Sequence, residues 1–237
     1  MKYWGKKEKL FKYVDGVRQF FPMVEEQLDA ISRIIEKYNI PIKNFLDLGC
    51  GDGFLGNFIH RLYPTSHGVF LDCSKEMILK AQNKAFRSDS EYIVQDFGEG
   101  DWYRAINSVR TFDLIISGYS IHHIENDKKR RLYRDIYQLI NPSGIFLNLE
   151  HVKSSSPAIE EIFNELFLEG MSDYQDHIGD SKTMEEIKHM YHDPQHKILN
   201  RLEYVELQCK WLSDIGFKEV DCYLKIFELA LFGGIKS

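Results

Sequence analysis

Short runs of nearly continuous apolar residues punctuate the N-terminal part of the chain: Phe45-Leu46-Asp47-Leu48, Gly68-Val69-Phe70-Leu71, Tyr92-Ile93-Val94, Phe112-Asp113-Leu114-Ile115-Ile116 and Gly144-Ile145-Phe146-Leu147-Asn148-Leu149. Each has the length of a strand, and the loss of apolar/polar alternation predicts strands covered on both faces. Between them, 53–63, 74–87 and 127–140 place their apolar residues at three- and four-residue spacing, as helices with one face on a sheet do. Met23, Leu28, Ile31, Ile34, Ile35 and Tyr38 carry the same spacing upstream, and Asn39 to Pro41 ends that helix. Strand and helix in alternation predict βαβ crossovers and a parallel sheet, because parallel neighbours need a long connection.

After the fifth strand the pattern changes. Residues 157–192 read as two or three helices and 202–215 as another; Gly216-Phe217 then leads into 218–224 and 226–235. Those last two runs are too close for a crossover helix, so an antiparallel hairpin at the end of the sheet is expected. The fold class is therefore α/β: a doubly wound, seven-stranded, mostly parallel sheet with an antiparallel last strand. A single domain over 1–237 is the simplest division, with 1–40 and 153–200 as helical additions to it.

Composition narrows the partners. The 237 residues are 43% hydrophobic and 28% charged, enough for a sizeable core, and Lys+Arg 30 against Asp+Glu 36 leave a formal charge of -6. That charge disfavours a broad nucleic-acid or anionic-membrane surface and favours a small-molecule partner; an oligomer is compatible with it. Cys50, Cys73, Cys209 and Cys222 form no C-x-x-C, so neither a zinc knuckle nor a disulfide framework is expected. His189, His192, Asp193 and His196 have a tempting spacing, but Pro194 interrupts the helix that would align them, so no metal is expected. With no apolar leader after Met1 and no long apolar run, a cytoplasmic location is expected.

The chemistry concentrates at Asp47-Leu48-Gly49-Cys50-Gly51-Asp52-Gly53-Phe54-Leu55-Gly56, where the first strand turns into a helix. Glycines there permit positive φ and close backbone approach, and a helix's free N–H groups receive acceptor atoms. Asp72 ends the second strand, where a carboxylate suits two ribose hydroxyls. Read as Gly51-x-Gly53-x-x-Gly56, the loop also fits a dinucleotide, which keeps an NAD-dependent oxidoreductase open. Asp47 argues the other way: a carboxylate there suits an ammonium and repels a pyrophosphate. Asp96-Phe97, after the third strand, offers an acceptor for an exocyclic amine and an apolar face for a ring.

This set resembles the class I S-adenosylmethionine (SAM)-dependent methyltransferases, whose first motif is an acidic residue, a spacer and G-x-G-x-G. The resemblance implies a Rossmann-like fold, SAM as methyl donor and S-adenosylhomocysteine as product. It implies Gly49, Gly51 and Gly53 as the cradle of the methionine part, with Asp47 at its ammonium and Asp72 at the ribose. Asp96, Phe97, Met77 and the Ser117 carbonyl would then frame adenine. Tyr119-Ser120-Ile121-His122-His123-Ile124, Asn141-Pro142-Ser143-Gly144-Ile145-Phe146 and Leu229-Ala230-Leu231-Phe232-Gly233-Gly234-Ile235-Lys236 resemble, more narrowly, a small-molecule subgroup related to the carboxymethyl-SAM synthase of tRNA uridine modification. That relative uses prephenate and a basic residue for the extra carboxylate; no residue here matches the latter, so ordinary methyl transfer is expected.

Methyl transfer to a small-molecule acceptor is an in-line displacement, so the protein chiefly has to align the nucleophile; whether a base also takes its proton stays open. His122 and His123 follow strand four, and Glu150-His151 follow strand five, at the sheet edge where ligands of open α/β sheets bind. His122 and His151 are the candidate bases, although His122 or His123 also suits capping the next helix. Tyr3, Trp4, Phe11, Tyr13, Phe20 and Phe21, with Arg18 among them, suggest a lid that excludes water, with Tyr13 and Arg18 as its acceptor-binding residues. The run Lys128-Lys129-Arg130-Arg131 reads as a solvated helix face. A non-catalytic SAM-binding module is the remaining alternative.

Overall fold

The computed structural model describes residues 23–178, 183, 185, 186 and 200–237. The N-terminal aromatic segment with Tyr13 and Arg18, and the His189 to His196 group, lie outside the described residues. Seven strands form one sheet in the order β3-β2-β1-β4-β5-β7-β6. They are β1 (Asn44–Leu48), β2 (His67–Asp72), β3 (Glu91–Val94), β4 (Phe112–Gly118), β5 (Ile140–His151), β6 (Lys218–Ile226) and β7 (Leu229–Ile235). Strands β1 to β5 pair in parallel, whereas β7 runs antiparallel to both β5 and β6, as the short 216–229 spacing requires.

The helices are α1 (Val24–Tyr38), α2 (Phe54–Leu62), α3 (Lys75–Asn83), α4 (Asn126–Leu139), α5 (Pro157–Ile178) and α6 (Val205–Ile215). Alternation along each strand divides the core in two. Phe45, Phe70, Leu114, Ile116 and Leu147 pack with Leu28, Ile31 and Ile35 of α1, Phe58 and Ile59 of α2 and Ile78 of α3. Leu46, Leu71, Ile115 and Phe146 face the other way, onto Leu132, Tyr133 and Ile136 of α4 and Trp211 and Leu212 of α6. Each such fully buried side chain contributes roughly 1.5–3 kcal/mol, which is why no strand between covered faces retains polar alternation.

Two departures from the sequence pattern stand out, in β5 and at two 3₁₀ turns. Strand β5 begins before Gly144: Phe112 pairs with Ile140 and Leu114 with Ile145, so 141–144 bulge out of register. Asp113 holds the bulge, accepting from Asn141 Nδ2 at 2.8 Å while its other oxygen takes the N–H of Asn44 at 2.9 Å. Of the 157–192 stretch the described residues show α5 and helical residues at 185 and 186, and the remainder of the expected helices falls outside the described residues. Short 3₁₀ turns at Trp102–Ala105 and Ile121–His123 have no periodic signature to read. No helix among the described residues is long and apolar enough to cross a membrane.

Candidate functional site

The strand order reverses between β1 and β4, and the glycine loop stands at their carboxyl ends. Gly49, Gly51 and Gly53 all have positive φ, at 69°, 54° and 81°. Only residues without a Cβ occupy that region at no cost, so three such positions in five residues define a tight turn, in which the Gly49 and Cys50 N–H groups donate to the Leu71 carbonyl at 2.7 and 3.0 Å and that of Gly53 to the Cys50 carbonyl at 2.9 Å. At Gly49 space is limiting as well: a Cβ would lie 2.2 Å from Ser120 Oγ and 3.2 Å from the Phe97 ring.

Two carboxylates fix the loop. Asp47 shares the Phe45 face of β1, is 1% exposed, and accepts the N–H of Gly56 at 2.8 Å through Oδ2. Gly56 is small for packing: its Cβ would lie 2.1 Å from the Phe70 ring. Asp72, ending β2, takes the N–H of Gly51 at 2.9 Å through Oδ2 and that of Ser74 at 2.8 Å through Oδ1. The loop and the β2 end are thus one hydrogen-bonded unit, and a carboxylate so anchored has lone pairs left for a diol. Burial and the neighbouring Asp47 and Asp72 charges push the Cys50 thiol far up, so Cys50 is inert packing within the loop.

The other cofactor candidates fall around this unit. Phe97 is buried beside Gly49, and Asp96 accepts the N–H of Gly98 at 2.7 Å. Ser117 is fully buried; its hydroxyl donates to the Leu48 carbonyl at 2.8 Å and lies 2.9 Å from Ser120 Oγ, which ties β4 to the loop. Met77 opens α3, 36% exposed, its N–H capped by Ser74 Oγ at 3.3 Å. The residues present fit an adenosyl group: a backbone cradle free of side chains, a carboxylate for the ribose, and an apolar ring beside it.

A second cluster, beyond the loop at the ends of β4 and β5, is where the candidate bases lie. His122 Nδ1 is 2.6 Å from Glu150 Oε1, and Glu150 is 1% exposed. The same oxygen accepts the N–H of His151 at 2.8 Å. His151 Nε2 is 2.6 Å from Glu228 Oε2, while Glu228 Oε1 accepts from Ser154 Oγ at 2.6 Å. The two rings stand edge to face with centroids 5.5 Å apart, and Phe163 of α5 lies against His151 at 5.5 Å. Burial pushes the Glu150 carboxyl up, but the His122 ring, the N–H of His151 and Lys129 outweigh it and hold it below its ordinary range.

Each histidine therefore has one nitrogen tethered to a buried carboxylate and the other turned away from it, an arrangement that orients a ring to take a proton. Glu228 carried no local signal: it reaches His151 only because β7 pairs Leu229 opposite His151. Lys129 departs from the solvated face expected of its basic run, being 1% exposed. Its position explains this, for Lys129, Leu132, Tyr133 and Ile136 form the single buried stripe of α4.

Residues 45–144 match the family model described as a methyltransferase domain. The carboxy-S-adenosyl-L-methionine synthase of Nautilia profundicola is 24% identical over 241 residues, covering 97% of this chain and 96% of its own. Malonyl-[acyl-carrier protein] O-methyltransferase 2 of Ilyobacter polytropus is 28% identical over 163 residues, 63% of this chain and 60% of its own. Among solved structures, an O-methyltransferase from Nostoc punctiforme superposes with a TM-score of 0.60 at 13% identity; the match covers 93% of this chain and 59% of that one. Human N-acetylserotonin methyltransferase, in complex with SAM, gives 0.52 at 16% identity, with 99% and 66% covered.

Proposed function

We propose that the chain is a class I SAM-dependent methyltransferase related to the carboxy-S-adenosyl-L-methionine synthases, and that it methylates a small molecule bearing a removable proton. The observation that carries this reading is the pair of buried carboxylates, Glu150 and Glu228, tethered to His122 and His151 at 2.6 Å each. Neither dyad is needed to hold the cofactor. Both stand at the sheet edge where an acceptor enters, and a proton acceptor is of use only for a hydroxyl, amine, thiol or activated carbon that must lose hydrogen.

The glycine loop holds the methionine part, with Asp47 setting its shape through Gly56 and Asp72 receiving the ribose hydroxyls. Phe97, Met77, Asp96 and Ser117 bound the adenine. SAM, when bound there, supplies an electrophilic methyl on a sulfonium and leaves as S-adenosylhomocysteine. His122 takes the acceptor's proton at Nε2 as the nucleophile advances in line, and His151, edge-on to it, aligns the acceptor and serves as second proton acceptor. Phe163 and the apolar side of α5 keep water from the reacting pair. This assignment as an enzyme sets aside both the NAD-dependent oxidoreductase and the non-catalytic module.

The test uses methyl-labelled SAM with a panel of hydroxyl, amine and thiol acceptors. Label should appear in a proton-bearing acceptor, and His122→Gln should lower kcat by about 100-fold or more while SAM affinity stays within about twofold. His122→Gln and His151→Gln enzymes that both retain normal turnover would overturn the proposal. A second reading follows from the full-length match to a carboxy-S-adenosyl-L-methionine synthase: the extra carboxylate would need a cation. Arg201, whose backbone N–H donates to the His122 carbonyl, pairs its guanidinium with Glu125 at 2.5 Å. A SAM-derived nucleoside carrying an added carboxyl, formed on incubation with prephenate, would favour that second reading.

A further inference from the structure

Lys129 is a cation with nowhere exposed to go. It is 1% exposed, on the buried stripe of α4 that faces β5. Along β5, Phe146 packs on that same side, so by alternation Asn148 and Glu150 point toward α4 as well. Lys129 Nζ donates to Asn126 Oδ1 at 3.2 Å and to the carbonyl of Arg201. The Arg201 N–H in turn donates to the His122 carbonyl at 2.7 Å. One residue, Arg201, thus ties the buried ammonium to the backbone of the candidate base.

Glu150 presents the problem that Lys129 solves. Its carboxylate is buried and bonded to His122, to the His151 N–H and, at 3.5 Å, to Asn148 Nδ2. Beside a neutral imidazole alone, such a carboxylate is uncompensated, and it would recover its charge balance by drawing a proton onto the pair. A His122 already protonated accepts nothing. A second cation in the same low-dielectric layer removes that demand.

We propose that Lys129 is a positioning residue for methyl transfer: its buried ammonium keeps Glu150 ionised while His122 is neutral, leaving His122 Nε2 able to accept the acceptor's proton. The inference rests on the reading of His122 as proton acceptor. The acceptor's proton passes to Nε2 and then to solvent, and the electron pair it leaves stays on the acceptor atom that is to be methylated. Every charged neighbour is consistent with it. Lys129 is pushed down by burial, against the opposing carboxylates of Glu150, Glu203 and Glu125. Glu203 is occupied by Asn126 Nδ2 at 2.6 Å, and Glu125 by Arg201 at 2.5 Å. Around the ring lie His123 at 4.0 Å and His151 at 5.5 Å, the latter held by Glu228. The Tyr133 phenol beside Glu150 is pushed up by burial and by that carboxylate, so it remains neutral.

The sign follows directly. Removing a positive charge raises the proton affinity of the Glu150 and His122 pair, so His122 should titrate at higher pH. The experiment is an NMR titration of the His122 ring in the full-length protein with S-adenosylhomocysteine, the signal being identified by its loss in His122→Gln. In Lys129→Met the midpoint should rise by about one pH unit or more, a tenfold gain in proton affinity, and in Lys129→Arg it should stay near the wild-type value. An unmoved midpoint in folded Lys129→Met would overturn the inference. If Lys129→Met does not fold, the same coupling is read from the other side: Glu150→Gln should lower the Lys129 midpoint in isotope-labelled protein, and an unchanged Lys129 midpoint is the overturning result. Neither titration depends on turnover, so loss of the His122 proton-acceptor role in the labelling assay is a separate outcome.

Discussion

Gly49→Ala should weaken SAM binding by about 100-fold or more and cost the fold roughly 2–4 kcal/mol. Two independent penalties act at this one position. The backbone has φ 69°, where a Cβ costs about 1–2 kcal/mol. The added methyl would also lie 2.2 Å from Ser120 Oγ and 2.5 Å from Ser120 Cβ. Ser120 has little freedom to yield, since its hydroxyl donates to the Leu48 carbonyl at 3.2 Å and meets Ser117 at 2.9 Å, and such overpacking costs about 1–3 kcal/mol. The loop must shift, and with it the bonds from the Gly49 and Cys50 N–H groups to the Leu71 carbonyl and from the Gly51 N–H to Asp72. Gly100→Ala is the control, because a Cβ there meets nothing within 4 Å. Calorimetric titration with SAM, alongside denaturant melts, separates the two effects; affinity retained in Gly49→Ala would show that the loop is only a surface turn.

Acid should unfold this protein through one histidine in particular. His60, 1% exposed on α2, is enclosed by Phe45 at 4.7 Å, Phe70 at 5.8 Å and Phe86 at 6.4 Å. Among the described residues neither ring nitrogen has a hydrogen-bond partner. Burial, reinforced by the Arg87 charge, lowers its pKa from 6.5 to about 4. Above pH 6.5 both folded and unfolded forms are neutral and the group contributes nothing to the pH dependence. Between 6.5 and about 4 the unfolded chain binds a proton that the folded chain refuses, so stability falls with falling pH, by roughly 2–3 kcal/mol over the window. His60→Phe should abolish that slope, with its advantage over wild type growing as pH drops from 7.5 to 4.5 in denaturant melts. Parallel stability profiles for the two proteins would contradict the assignment.

The parts of this molecule that were legible in its sequence are those governed by short-range pattern. The five apolar runs and the helices between them follow from burial on both faces. The terminal hairpin follows from the short gap between its strands. The glycine loop and Asp72 were readable because positive φ and a strand-end carboxylate are local requirements.

What escaped was set by register across the sheet. Glu228 reaches His151, and Glu150 reaches His122, only through the pairing of β5 with β7 and the placement of the 3₁₀ turn at Ile121–His123. Lys129 shows a pattern misjudged rather than absent. Its basic neighbours suggested a solvated face, while its spacing to Leu132, Tyr133 and Ile136 placed it inside. The bulge at 141–144 is held by Asp113 of the neighbouring strand, and of its two causes only Pro142 and Gly144, which favour a bulge, stand in the segment itself.

The most direct test of the SAM site is a crystal structure of the protein with S-adenosylhomocysteine. The ribose hydroxyls should lie within hydrogen-bonding distance of the Asp72 carboxylate, the homocysteine part over Gly49 to Gly53, and the sulfur facing the space beside His122 and His151. A nucleoside seated away from Asp72, or a sulfur directed away from the two histidines, would contradict the assignment of both clusters.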